Sequence, residues 1–135
     1  MQKLTQSVAK YQAKTSPVPE SEINNAEEKI GFPFSEEYRR FLSTFGRISF
    51  LSHETYGLGV PDDYYLNIRH EFQDLSQDAH YPANAVPVLE LGDGHYYLYD
   101  NIGKRVLLWA SPNGGVVKEL HESLEDFLIQ KIFPR

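Results

Sequence analysis

Along the first third of the chain, apolar residues recur every three or four positions; further on they alternate or cluster between glycine-bearing turns. Leu4, Val8 and Tyr11 fall at helical spacing and predict a short N-terminal helix, which Thr15-Ser16-Pro17-Val18-Pro19 breaks. Ile23, Ala26 and Ile30 share one face of a second helix, from about Ser21 to Ile30, with Gly31 as its stop. Ser35 is a good N-cap for a third, whose stripe is Tyr38, Phe41, Leu42 and Phe45 and whose end is Gly46. Phe32-Pro33-Phe34 leaves room only for a tight connection, so these two helices should pack as a pair.

After Arg47 the period changes. Ile48 to Leu51 and Glu54 to Leu58 read as two short strands around a turn at Ser52-His53. Asp62 or Asp63 can cap a helix in which Tyr65, Ile68, Phe72 and Leu75 line one face. Strands then follow at Val86–Leu91, His95–Tyr99, Arg105–Ala110 and Val116–Leu120, separated by Gly92-Asp93-Gly94, Asn101-Ile102-Gly103 and Pro112-Asn113-Gly114-Gly115. Asx-Gly pairs between β-branched and aromatic runs are a strong hairpin signal. Ser123-Leu124-Glu125-Asp126 has capping-box form and opens a last helix carrying Leu124, Phe127, Leu128 and Ile132. The expected fold class is α+β: an antiparallel β-meander sheet with an N-terminal helix pair, one mid-chain helix and a C-terminal helix packed around it.

Length fits one such domain: 135 residues, 41% hydrophobic and 24% charged. The longest purely apolar run, Val106 to Ala110, is far short of a membrane span, and the N-terminus has no apolar signal region. Without cysteine there is no thiol nucleophile, disulfide or zinc–thiolate site. A cytoplasmic location fits these features.

Charge changes the picture more. The net charge of −6 argues against direct nucleic-acid binding. Residues 53–100 hold nine acids against Arg69 alone, a local charge of −8, and the segments on either side are each close to neutral. Seven of the nine tyrosines lie in that same window. Acidity and phenolic rings therefore gather in the middle of the chain, as they would on a surface that recognises a cationic protein. Such acids could equally serve only to keep exposed elements soluble.

Catalytic chemistry finds little support. The five histidines form no His-x-His or His-x-x-x-His pair, and no phosphate-binding loop, dinucleotide fingerprint or nucleophile elbow occurs. Asp93 and His95 are two apart on a strand, a pairing too common to imply a metal, so no metal and no cofactor are expected. A hydrolase built from Asp93, His95 and Asp100 would require the meander to curl and would still lack an oxyanion hole. The stretch Glu90–Asn101 reads as a hairpin with a sticky outer side.

The order of motifs resembles a known family. Ile23-x-x-Ala26-Glu27-x-x-Ile30-Gly31-x-Pro33-Phe34-x-x-x-Tyr38-x-x-Phe41-Leu42-x-x-x-Gly46 is similar to the opening signature of the SUKH superfamily, which includes a yeast cell-wall-synthesis regulator and many bacterial immunity proteins. Glu54-x-Tyr56-Gly57-Leu58, Gly92-Asp93-Gly94 and Ser123 to Leu128 fit the same template. Phe45-Gly46 departs from the usual Asn-Gly. Residues 1–19 lie outside the pattern, so the expected organisation is an N-terminal helical extension, 1–19, and a single SUKH-like domain, 20–135.

The resemblance implies a non-enzymatic immunity protein that neutralises a cognate polymorphic toxin, commonly a nuclease. A nuclease cleft must attract phosphates and is basic, so its inhibitor should be acidic, as the charge map independently suggests. Candidate toxin-interface residues are Glu54, Tyr56, Asp62, Asp63, Tyr64, Asp93, His95, Tyr97 and Asp100, chosen from that concentration of charge and tyrosine. The alternative is an intracellular regulatory or scaffold module for protein interaction. An exposed tyrosine surface is also compatible with a homodimer.

Overall fold

The computed structural model describes residues 1–134. Among them the order is α1 (Gln2–Tyr11), β1 (Lys14–Thr15), α2 (Glu20–Ile30), α3 (Glu36–Thr44), β2 (Ile48–Phe50), β3 (His53–Glu54), α4 (Ile68–Leu75), β4 (Ala85–Gly92), β5 (His95–Asp100), β6 (Arg105–Ala110), β7 (Gly115–Glu119) and α5 (Leu124–Ile132). Two antiparallel sheets form, in the orders β1-β2-β3 and β4-β5-β6-β7, and the fold class is α+β. No helix of the described residues is long and apolar enough to cross a membrane.

Helix boundaries follow local chemistry. Ser35 Oγ accepts the Tyr38 N–H at 3.1 Å and starts α3, and Gly31, at φ 99°, closes α2. Ser123 Oγ accepts the Asp126 N–H at 3.1 Å, while the Asp126 carboxylate turns to Lys3 Nζ at 2.6 Å. Asp62 and Asp63 do not cap α4. Asn67 does: its Oδ1 accepts the Arg69 N–H at 2.9 Å, its Nδ2 donates to Val60 O at 3.1 Å, and the side chain is fully buried. The helix therefore begins later than expected, and Tyr65 precedes it, half exposed, rather than lining its buried face.

The meander forms as its turn residues require. Asp93 (φ 52°) and Gly94 (φ 76°) occupy the left-handed positions of a two-residue hairpin. A Cβ on Gly94 would lie 2.4 Å from the Ser111 carbonyl. The strand expected over 54–58 is regular only at His53–Glu54. Beyond that the backbone takes partners one residue at a time: Thr55 N–H to Ile48 O, Tyr56 N–H to Val88 O, Gly57 N–H to Leu66 O and Leu58 N–H to Gly46 O.

Both faces of the meander are covered. Tyr97 and Tyr99 point into the main core with Tyr38, Phe41 and Phe127, while Leu98 and Trp109 point the other way, against Leu75, Ala85 and Tyr81. The first nineteen residues share this body. Leu4 is fully buried, its N–H donates to Glu125 Oε2 of α5 at 3.0 Å, and Tyr11 stacks on Phe133. Thr15 pairs with Ile48, and Ser16 N–H reaches Phe45 O at 2.7 Å.

Candidate protein-binding groove

β3 and β4 are the outer strands of different sheets. They approach where the Tyr56 N–H donates to Val88 O at 2.9 Å. Beyond that bond an open groove of about 530 Å³ lies between His53–Glu54 on one side and Leu89–Gly92 on the other. Tyr56, Leu66, Leu89 and Tyr97, all buried, also line it. Ser52, His53, Tyr65, Glu90 and Leu91 are exposed lining residues, and Glu54 is half-buried. Lys131 of α5 completes it, with Nζ 5.3 Å from the Tyr97 ring centre.

Backbone polarity follows from the hairpin β2–β3. Phe50 and His53 close its two-residue loop, and Thr55 N–H reaches Ile48 O, so these residues point at β2. Glu54 lies between them in register opposite Ser49, and alternation turns its N–H and C=O outward, to the side from which Tyr56 reaches β4. β4 carries two register shifts, at Val88 and at Leu91, and at the second Leu91 stands 56% exposed. Leu51, at the tip of the β2–β3 hairpin, is 82% exposed at φ 55°.

The polar groups around the groove are mostly acids and phenols. Tyr65 O–H donates to Glu54 Oε2 at 3.1 Å, and Tyr56 O–H to Glu90 Oε1 at 3.3 Å. Burial, then the Glu71 and Glu90 carboxylates, hold the Tyr56 phenol far above its ordinary range, so it remains a donor. Glu71 on α4 is itself raised, first by burial and then by Asp74, with Glu90 adding to the effect and His70 opposing it. Among the described residues, none of Glu54, Glu71, Asp74 and Glu90 has a basic side chain in ion-pair contact.

Of the nine residues singled out from sequence, Glu54, Tyr56 and Tyr97 meet at this groove. Tyr56 (2% exposed) and Tyr97 (6%) are core residues rather than projecting anchors. The physical reason is that the sheet is covered on both sides: Tyr97 packs on Phe127 with ring centres 4.8 Å apart. Tyr64 is half-buried, edge-on to Tyr65. Asp62 and Asp63 are exposed outside the groove lining, and Asp62 is drawn toward α2 through Arg69, whose Nη1 also donates to Asn25 Oδ1 at 2.9 Å. Asp93 is in the β4–β5 turn, with its carbonyl 3.1 Å from His95 Nδ1. Asp100 shapes the next turn by accepting the Ile102 and Gly103 N–H groups at 2.9 and 3.1 Å. His95 and Asp100 stand at opposite ends of β5, roughly 17 Å apart along an extended strand, so with Asp93 they form no catalytic constellation.

Leu51, Tyr65, Glu90 and Leu91 belong to the groove region but are not among those nine. Their local patterns put Leu51 and Leu91 in strands and Tyr65 on a buried helix face. Glu90 was visible only as one of the nine acids.

Three comparisons bear on kinship. A family model, SUKH_6, described as SMI1-KNR4 cell-wall, matches residues 20–128. A crystal structure of a protein from Pseudomonas syringae pv. tomato aligns with TM-score 0.74 at 18% identity, over 98% of each chain, which shows a shared fold. No curated protein matches the chain. The family match covers most of the chain and contains the signature from Ile23 to Gly46, the later Gly-Asp-Gly turn and the start of the closing helix; the chain belongs to the SUKH superfamily, in its SMI1-KNR4 family.

Proposed function

We propose that this chain is an immunity protein: it binds one cognate protein toxin, with the basic surface of a nuclease as the chemistry that fits, and blocks its action inside the producing cell. The observation that carries the reading is the meeting, at one groove, of carboxylates with no basic partner among the described residues and exposed apolar or phenolic side chains. Glu54 and Glu90 steer a cationic partner, and Tyr65, Leu91 and Leu51 supply contact area. Family membership supports the same reading. Asp63, Asp93 and His95 lie outside the groove lining and have no central part in it. No chemistry on a substrate is required of the chain; occupancy is sufficient.

A tight complex of this kind buries about 800 Å² on each partner. The test is co-expression in bacteria with the polypeptide encoded immediately upstream. Cells should die when that polypeptide is made alone and survive when this chain is co-produced, and the purified pair should migrate as a stoichiometric complex. The double reversal Glu54→Lys with Glu90→Lys should slow association by about tenfold or more at low salt. Asp62→Lys with Asp63→Lys should change it by only about twofold. Toxicity unaffected by the chain would sink the reading.

A further inference from the structure

We infer that the groove between β3 and β4 receives an extended, cationic segment of the partner chain, which adds as a strand and joins the two sheets. The identity of the partner rests on the immunity reading; the mode of docking rests on the groove itself.

Three observations lead to it. The first is backbone valence. The Glu54 N–H and C=O face away from β2, and neither has a backbone partner among the described residues. The outer side of β4 is bonded at Val88 by Tyr56; past it, no other segment of the described residues pairs with Leu89–Gly92. Unpaired strand edges are templates for another strand. Here two such edges border one groove and leave each other after a single bond.

The second is apolar exposure. Of the six large hydrophobic side chains that stand in solvent among the described residues, Leu91 and Tyr65 line this groove and Leu51 adjoins it at the hairpin tip, while Ile102, Val116 and Val117 lie elsewhere. Leu51 is also the one apolar residue among the six described non-glycine residues with positive φ; the others are Gln12, Asn84, Asp93, Lys104 and Asn113. A leucine is disfavoured there both by its backbone and by its contact with water, and neither local structure nor the core has a use for it.

The third is charge complementarity, which selects the occupant. Glu54 and Glu90 lie on opposite sides of the groove with no basic partner among the described residues, and Glu71 and Asp74 act on the same region. Lys131 and His53 also line it, and Lys131 is engaged over the Tyr97 ring. An inserted strand with alternating basic and apolar residues would put its apolar side chains on Tyr56, Leu66 and Leu89 and its cations toward Glu54 and Glu90, since successive side chains point to opposite faces.

The experiment uses the full chain, isotope-labelled for NMR, with three end-blocked heptapeptide probes: alternating Lys-Val, alternating Glu-Val, and the Lys-Val peptide N-methylated at alternate residues. The Lys-Val peptide should shift the amides of His53–Glu54 and Leu89–Gly92, and slow hydrogen exchange at the Glu54 N–H by about tenfold or more at saturation. The Glu-Val peptide should bind about tenfold more weakly, as should the N-methylated peptide, which keeps charge but loses backbone donors. The Glu54→Lys variant, altered at a half-buried carboxylate on the groove's edge and checked for an unchanged spectrum elsewhere, should lose the Lys-Val interaction. No saturable binding of the Lys-Val peptide, shifts centred elsewhere, or equal binding of the N-methylated peptide would overturn the inference. Those results leave the immunity reading standing with a different docking mode, whereas failure to protect cells alongside peptide binding would leave the groove standing with a different partner.

Discussion

The phenolic oxygen of Tyr99 on β5 lies 2.8 Å from the Ser35 hydroxyl that begins α3, so a sheet residue fixes where a helix starts. The single phenolic proton goes to Glu37 Oε1 at 2.9 Å; the Ser35 O–H therefore donates to Tyr99, while Ser35 Oγ accepts the Tyr38 N–H. Asn101 Oδ1 receives the Ser35 N–H at 2.8 Å and completes the joint. Replacing Ser35 by Ala should cost about 1–2 kcal/mol. Tyr99→Phe keeps the stacking on Tyr38 and should cost about 1 kcal/mol. Because the two residues share one network, the double variant should lose less than the sum, which urea denaturation of all four proteins would show.

Gly46 closes α3 at φ 68°, and a Cβ there would lie 1.8 Å from the Ser16 carbonyl oxygen. That atom is backbone, locked by the Ser16 N–H to Phe45 bond, and cannot give way. Gly46→Ala should destabilise by at least about 3 kcal/mol, well beyond an ordinary surface change. Gly31→Ala is the control: its φ is also positive, but no neighbour crowds it, so only the backbone cost of about 1 kcal/mol applies. Thermal unfolding of the pair separates strain from collision.

Glu71 makes stability depend on pH in an unusual direction. Burial, then Asp74, raises its carboxyl above the ordinary 4.5, with Glu90 acting the same way and His70 the opposite. The native state thus binds more protons than the unfolded state in the window above 4.5, and this group's contribution falls as pH rises through its native pKa. Glu71→Gln should therefore be more stable than the parent at pH 7 and lose that advantage below the unfolded-state pKa. Denaturant midpoints measured from pH 4 to pH 7, about one pH unit apart, would reveal the crossing; an advantage that grew on acidification would contradict the assignment.

Leu51→Gly should raise stability by about 1 kcal/mol, because glycine adopts a positive φ without the steric cost a leucine carries. For a domain of this length that is an increase in Tm of about 3 °C. The same change removes an exposed side chain beside the groove, so partner binding should weaken as the fold strengthens. A variant gaining stability without losing binding would show that Leu51 is an accident of the hairpin.

Helices α2, α3 and α5 and all four meander strands were legible because their signals are local: an N-cap serine, a terminal glycine, an Asp-Gly turn. Strand β1 was not, since two residues beside prolines carry no period and acquire a strand's role only by meeting Ile48 and Ser49. Asn67 was overlooked as a cap because the adjacent acids at 62–63 offer the stronger local pattern; burial at a tertiary contact decided the matter. At the groove, Glu54 could be chosen from charge alone. Tyr56 and Tyr97 could not be told from surface tyrosines, because which faces of a meander are covered depends on helices distant in sequence.

The seam between the first nineteen residues and the rest has a practical meaning for anyone trimming or splicing this chain. A junction at residue 20, where the family match begins, would strip β2 of its neighbour on one side and leave the Leu4 and Tyr11 pockets on α5 and Phe133 open to water. The family match and the physical unit do not share an edge, and a chimera cut along the former would inherit an unfinished surface.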